Sequence, residues 1–377
     1  NTATASGGIA IDATGHVQID GVQLPTAGQL SNRNLIINGA MQVAQRGAGP
    51  FTNSSGGFQT VDRFQLEGTM GGSFTLEQAS DAPSGSGFNK SFKALAPTGF
   101  SSPTASASSK VITSIEAQDL QQLLYGTSDA AYLTVSFWVK ATVTGTYILE
   151  VSQDDATRHL STAYTISSSN TWEKKTISIV GDTSGTINND NGNGLSLKWF
   201  IAAGSNFTSG TLATTWASIT TANRAVGQVN GVASNNDAFY ITGVQLEVGE
   251  KATPFEHRSY GDELAKCQRY CQRYSGGRIG QGIINHDNTG DKAVILQALP
   301  VTMCATPILE SVTNGNIVLE GAAWYAVTGT PTLTGEATSS IIVYNISTSS
   351  QITNATTDGI IPTSWGNGAA VTLSAEL

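Results

Sequence analysis

One stretch of this chain carries helical spacing, and the sequence on either side of it is patterned for strands. In residues 253–274 (TPFEHRSYGDELAKCQRYCQRY) Leu264, Cys267, Cys271 and Tyr274 fall at i, i+3, i+7 and i+10, one face of a helix. Lys266, Arg269 and Arg273 take the other faces, Asp262 caps the start and Gly276-Gly277 end it. A lone helix this short is marginal in water, so its stripe must bury against something. Elsewhere the period is two. In residues 132–140 Leu133, Val135, Phe137 and Val139 face one way, and Tyr132, Thr134, Ser136, Trp138 and Lys140 face the other. Ile177 and Ile179 alternate with Thr176, Ser178 and Val180.

Composition fits strands joined by tight turns. Charged residues are 12% of the chain, against about 25% in a typical globular protein. Glycine numbers 41 and small polar residues are abundant. The net charge of -9 is a poor match for a nucleic-acid backbone, which needs clustered Lys and Arg. No run of about 18 apolar residues suggests a membrane span, and no signal-peptide pattern is read at the start. The cysteines, Cys267, Cys271 and Cys304, are too sparse for a disulfide framework, and no histidine stands at zinc spacing. They are read as buried apolar thiols.

Four regions follow. Residues 1–32 form a thin leader in which Val17, Ile19, Val22 and Leu24 alternate around Asp20-Gly21, a hairpin signal. Such strands hold no core alone, so the leader is an attachment or collar segment paired with other copies, or a loose tail. Residues 33–256 are one long β unit with strands read at 35–37, 64–66, 74–77, 132–141, 147–152, 172–179, 195–202 and 239–247, and a short helical turn at 119–124. Residues 257–276 are the helical junction. Residues 277–377 form a smaller β unit with strand candidates at 283–284, 293–297, 308–312, 317–320, 341–345 and 371–373.

Two resemblances attach to these residues. Asn34-Leu35-Ile36-Ile37-Asn38-Gly39, the TVSFWVK run at 134–140, TWEKKTISI at 171–179 and FYITGVQLE at 239–247 resemble, in order, four blocks of jelly-roll carbohydrate-binding modules with the galactose-binding-like sandwich. The 253–274 stretch resembles the "ATPFE-R…EL-CQRYY" junction of bacteriophage tail proteins, which follows a β-sandwich and precedes a distal tip domain. Together they imply an all-β chain: a jelly-roll β-sandwich plus a smaller C-terminal β-sandwich, joined by a short amphipathic helix. In such modules the opening and closing strands carry acidic calcium ligands. Here Ala40, Gln42 and Thr242-Gly243 stand at those places, so that calcium site is read as lost. The oxygen-rich loop at 188–193 carries one carboxylate, Asp190, and is read as a turn.

No catalytic constellation is evident. Asp154-Asp155, Glu247, Glu250, Glu256, Asp262-Glu263 and Asp287 form no acid/base motif, and no histidine has a nucleophile at known spacing. The chain is read as non-enzymatic, with no cofactor and no metal. Sugar binding needs only an aromatic face beside amide or carboxylate groups. Trp324 and Tyr325, which alternate faces in a strand, and Trp365, read as lying in a Gly-rich loop, are the candidate ligand-binding residues. Trp138, Trp172, Trp199 and Trp216 are read as core.

The resemblance implies a virion structural protein, a homotrimeric fibre or tail appendage recognising host-surface glycan. The 1–32 segment would meet other virion proteins, and Leu264, Cys267, Cys271 and Tyr274 would form the oligomerisation helix. The alternatives are a glycan-binding module of a polysaccharide-degrading protein, and a head-fibre or decoration protein with a mainly structural role.

Overall fold

The computed structural model describes residues 32–53, 56–68, 70–287, 290–313 and 359–377, together with the leader and 316–347 strand segments named below. Side chains are described within 32–274, 297–311 and 371–377. The chain divides into two compact units, Asn1–Tyr260 and Gly261–Leu377. Nearly all of its regular structure is antiparallel strand.

In the leader, β1 (Ile9–Ile11), β2 (Val17–Ile19) and β3 (Val22–Gln23) form a small sheet, with Ile9 opposite Ile19 and Ile19 opposite Val22. The expected pairing around the hairpin signal is present; Asp20-Gly21 and Leu24 lie outside the described residues.

The rest of the first unit is a sandwich of two six-stranded sheets. Its strands are β4 (Phe51–Asn53), β5 (Gln65–Glu67), β6 (Phe74–Ala79), β7 (Ser91–Ala96), β8 (Ser108–Glu116), β9 (Leu133–Ala141), β10 (Gly145–Gln153), β11 (Arg158–Ile166), β12 (Glu173–Ile179), β13 (Asn193–Ala203), β14 (Ala217–Ser218) and β15 (Asp237–Val248). One sheet runs β14-β11-β10-β13-β8-β5, the other β12-β9-β15-β7-β6-β4. The period of two aims Val135, Phe137 and Val139 of β9 at Leu149 and Val151 of β10 and Leu197 and Trp199 of β13, all at 1% exposure or less. Phe137 meets Trp199 and Tyr164 edge-on, with ring centroids 5.6 and 5.3 Å apart. Burying each such ring contributes roughly 2–3 kcal/mol.

On β13 the alternation breaks, because Trp199, Phe200 and Ile201 are all buried. The reason is a third layer. Residues 204–231, including α1 (Ser205–Thr208), fold over the outside of this sheet, where Phe207 and Leu212 cover Phe200, Ile148 and Ala225. A strand covered on both faces reads as a continuous apolar run.

The opening block departs from expectation. Residues 35–37 join no ladder. Leu35 donates one bond to Leu246 O (2.8 Å), and the chain then turns at 37–40. The Asn34 side chain bridges Val244 O and the amides of Ile36 and Leu246, and Asn38 bridges Val43 and Asp62. Side-chain bonds of this kind compete with a ladder for the backbone. Opposite them β15 bulges: the register slips between Thr242 and Gln245, with Gly243 at φ +59°. Gly39 packs so tightly there that a Cβ would sit 2.0 Å from Val244 O.

In the second unit α2 (Tyr260–Gln268) is shorter than the spacing implied. It ends before Cys271 and Tyr274, which lie on β16 (Cys271–Asp287), so the four-residue stripe is not one helical face. Tyr270 donates to Cys267 O (2.9 Å), and the Gln272 side chain takes the free carbonyl of Gln268 (2.9 Å). From there Cys271 pairs with Ser374 and Tyr274 with Val371, a ladder to residues a hundred positions away that local periodicity cannot anticipate. Asp262 sits inside the first turn rather than at its cap, where with Glu263 it complements the helix dipole. Gly277 lies at a strand bulge instead of ending the helix.

The remaining strands are β17 (Gly290–Ala298), β18 (Ile308–Thr313), β19 (Asn316–Glu320), β20 (Trp324–Thr328), β21 (Thr332–Leu333), β22 (Ile341–Ser347) and β23 (Gly359–Ser374). They pair with β16 as one eight-stranded network in the order β20-β19-β23-β16-β17-β22-β21, with β18 also on β23.

Candidate functional site

The register fixes what the outer face of the β12-β9-β15 sheet presents. One cross-strand row runs Lys140, Tyr240, Lys93, Glu77 over β9, β15, β7 and β6, with Trp172 just before β12 at its end. The next runs Lys174, Trp138, Thr242. Two polar rows follow, Thr176, Ser136, Gln245 and Ser178, Thr134, Glu247.

The first row is a ladder of cations and rings. Lys140 Nζ lies 4.3 Å from the Tyr240 ring centroid and 5.4 Å from that of Trp172, and Lys93 Nζ lies 5.8 Å from Tyr240. Asp81 closes it, contacting Lys140 Nζ and accepting from Trp172 Nε1 at 3.0 Å. Burial works against the Asp81 charge, but the Lys140 and Trp172 hydrogen bonds outweigh it and hold the carboxyl below its ordinary value. At the bulge the half-buried Trp138 and Phe88 flank Gly243, and Phe88 continues into Phe255 (centroids 4.8 Å) and His257 (5.5 Å).

Beyond Trp138, residues 253–258 form a strap over β15. Gln245 Oε1 accepts from Glu256 N (2.8 Å), and Glu247 Oε1 accepts from Thr253 N (2.8 Å). The same strap grips the opening segment: Glu256 accepts from the amides of Arg33 and Asn34, and Arg258 donates to the carbonyls of Ile36 (3.1 Å) and Asn34. The result is a face where half-buried aromatics and a fixed carboxylate stand beside the exposed hydroxyls of Thr176 and Ser178, while Thr134, Ser136, Thr242 and Gln245 are buried beneath. That mix can stack on the apolar side of a sugar ring and bond its hydroxyls.

The sequence candidates lie elsewhere. Trp324 and Tyr325 are adjacent on β20, as expected of a strand. Trp365 is within β23 and not in a loop: it pairs with Gly277 on one side and Ile317 on the other, because both neighbouring strands recruit it. Tyr325 and Trp365 hold positions of like parity in the sheet and Trp324 the opposite parity. Of the tryptophans read as core, Trp199 is fully buried and Trp216 packs against the core. Trp138 and Trp172 instead belong to the outer face, half-buried. The signal for Trp138 was its alternation with Val135, Phe137 and Val139.

The other sheet's outer face carries a second polar cluster. Glu150 receives both Arg224 Nε (2.8 Å) and Nη2 (2.7 Å) and lies 3.0 Å from His159 Nδ1. Burial pushes the Glu150 carboxyl up, but the bonds from His159 and Arg224 prevail and hold it down to about 2. Glu150 and His159 are fully buried under residues 204–231, which marks the cluster as a structural clasp. Asp154, Asp155 and Asp190 are turn carboxylates as read: Asp155 binds the Asn188 amide (3.0 Å) and Asp190 the Gly192 amide (2.8 Å). Among the described residues no group of three His, Cys, Asp or Glu is placed to hold a metal.

No protein-family model matches the chain, and no curated protein matches it. Among solved structures it is similar to the enzymatically active domain of tailspike protein 4 of bacteriophage CBA120, at TM-score 0.30 and 16% identity over 57% of this chain and 21% of that one. It is also similar to a family 61 carbohydrate-binding module solved with β-1,4-galactotriose, at 0.27 and 12% over 58% of this chain and all of that one. A third is the Clostridium thermocellum family 11 module solved with a mixed-linked tetrasaccharide, at 0.25 and 12% over 53% and 91%. Likeness at these scores is too slight to fix a function for this chain.

Proposed function

We propose that the protein is a non-enzymatic virion component, a fibre or tail appendage that recognises host-surface glycan and works as a homotrimer. The observation that carries the glycan reading is the outer face of β12, β9 and β15. There Trp172, Tyr240 and Trp138 stand beside Asp81, Lys174 and the exposed hydroxyls of Thr176 and Ser178. The virion reading rests on the 253–274 junction, whose Glu256 and Arg258 close the sandwich just ahead of α2. Trimers suit weak sugar contacts, because linked sites raise avidity without new contacts. The 1–32 leader would join other virion proteins, and the particle would be extracellular.

The test is a broad glycan array probed with the whole chain, alongside immunogold labelling of purified particles. Saccharide binding lost in Trp138→Ala, with label at a tail or fibre, is the expected result. Saccharide binding without label on any particle would move the chain to the second reading, a binding module of a polysaccharide-degrading protein, which the same face supports equally. Absence of any saccharide binding would sink the glycan reading.

A further inference from the structure

We infer that the opening loop of the sandwich is a carbonyl cluster of the kind that holds a hard cation, and that the side-chain amides of Asn38 and Gln78 stand in the cation's place. Four consecutive carbonyls each take a side-chain amide. Ala40 O accepts from Gln42 Nε2 (3.0 Å), Met41 O and Gln42 O both accept from Gln78 Nε2 (2.7 and 3.0 Å), and Val43 O accepts from Asn38 Nδ2 (2.8 Å). A fifth, Asp62 O, shares Asn38 Nδ2 at 2.9 Å. Such a run needs an irregular path, and Asn38 and Met41 supply it in the left-handed region, at φ +61° and +58°.

Clustered carbonyls suit Ca²⁺, which takes about six to eight oxygens and draws on carboxylates for charge. The residues present do not fit that ion. Residues 34–61 carry no Asp or Glu. The first carboxylate, Asp62, is engaged by Gln45 through its backbone N (2.9 Å) and its Nε2 (2.6 Å). The carbonyls already face N–H groups, whose positive ends repel a cation. To admit one, the Asn38 amide would have to turn away. It is fully buried, with Oδ1 accepting from Val43 N (2.9 Å), so turning would leave buried polar atoms without partners.

Gln78 is the residue that its own strand does not call for. On β6 Phe74 and Leu76 point into the core, both fully buried, and the period of two puts Gln78 on the same face. An amide at such a position is explained by the loop it reaches. One nitrogen fixes two carbonyls that would otherwise need water or an ion. It carries two N–H donors and no net charge, so nothing has to be bound from solution for the loop to close. A domain stapled by a metal gains stability from free metal and loses it to a chelator. This sandwich is built to be indifferent to both.

The experiment melts the whole chain in excess EDTA, in millimolar CaCl₂ and in NaCl of equal ionic strength. The wild-type midpoint should be the same in all three. Gln78→Met keeps the length of the side chain and removes both donors, so its midpoint should fall by about 5 °C, alike in all three. Gln78→Glu sets a carboxylate against Met41 O and Gln42 O. Its midpoint should fall further in EDTA, and CaCl₂ should recover part of the loss where NaCl does not, because the variant supplies the charge that the cluster lacks. If Gln78→Glu is unfolded in EDTA, the same recovery is read as refolding on adding CaCl₂. A wild-type midpoint that CaCl₂ raises above its value in EDTA overturns the inference, since the loop would then hold the ion itself. Gln78→Met melting like wild type overturns the part given to Gln78. Gln78→Glu that answers CaCl₂ no better than NaCl overturns the cation-like geometry of the cluster.

Discussion

At the residue scale the strongest constraint is the carboxylate of Glu150. Its folded value of about 2 stands below the ordinary 4.5, so its contribution is fully present above 4.5 and is lost as pH falls toward 2. The shift corresponds to on the order of 3 kcal/mol at neutral pH. Glu150→Gln leaves Arg224 largely desolvated with a neutral partner and should cost about 3 kcal/mol at pH 7. Melting curves from pH 7 to pH 3 check this: wild type and variant should converge as the pH drops, and parallel curves would refute the assignment. Gly39 gives a second prediction. A methyl group there would meet Val244 O at 2.0 Å, backbone that cannot step aside. Gly39→Ala should therefore destabilise by about 2 kcal/mol or more, read as a lower midpoint in urea. Neither residue was legible as special in the sequence. Glu150 and Arg224 are 74 positions apart, and Gly39 is one of 41 glycines. Trp138 was read as core although the signal against it was local: the alternation that buried Phe137 turned Trp138 outward.

At the scale of elements, the strands with clean alternation, β9 and β12, were readable to within a residue or two, since the side-chain period is set locally. The elements that failed are those settled by a distant partner. The tail of the helical stripe became β16 because β23 offered Cys271 and Tyr274 a ladder. The opening block at 35–37 became a pinned loop because Asn34 and Asn38 bond backbone across the unit. The 253–258 strap was visible as a motif, but its task was not. Arg258 supplies two bonds to carbonyls of residues 34 and 36, more than 220 positions earlier. Arg258→Ala should cost about 1–3 kcal/mol and, more tellingly, speed amide exchange at Asn34 and Leu35 while leaving the β9 and β13 amides protected. Uniformly faster exchange across the sandwich would mean that the strap is not a local clasp.

At the scale of the whole molecule, the question is what completes the second unit. Among the described residues its strands form one hydrogen-bonded network, and a single sheet needs a second layer over at least one face. That layer is either the same sheet bent back on itself or another copy of the chain. β16 and β23 run 17 and 16 residues, far longer than the five or six typical of globular strands, and so present a long face to cover. The helix has correspondingly less to offer an assembly. With Cys271 and Tyr274 on a strand and Cys267 fully buried, only the half-buried Leu264 remains of the stripe on its surface. On the trimeric reading proposed above, light scattering should give about three times 39.2 kDa, and Leu264→Asp should leave that mass unchanged, because one leucine per chain is too small an interface to hold three copies together. With charged residues at 12% of the chain, the mass should also persist at high salt, since few ion pairs are available to be screened. A monomer would end the trimeric fibre reading. A trimer that Leu264→Asp dissolves would return the axis to the helix and leave the second layer of the sheet to its own fold.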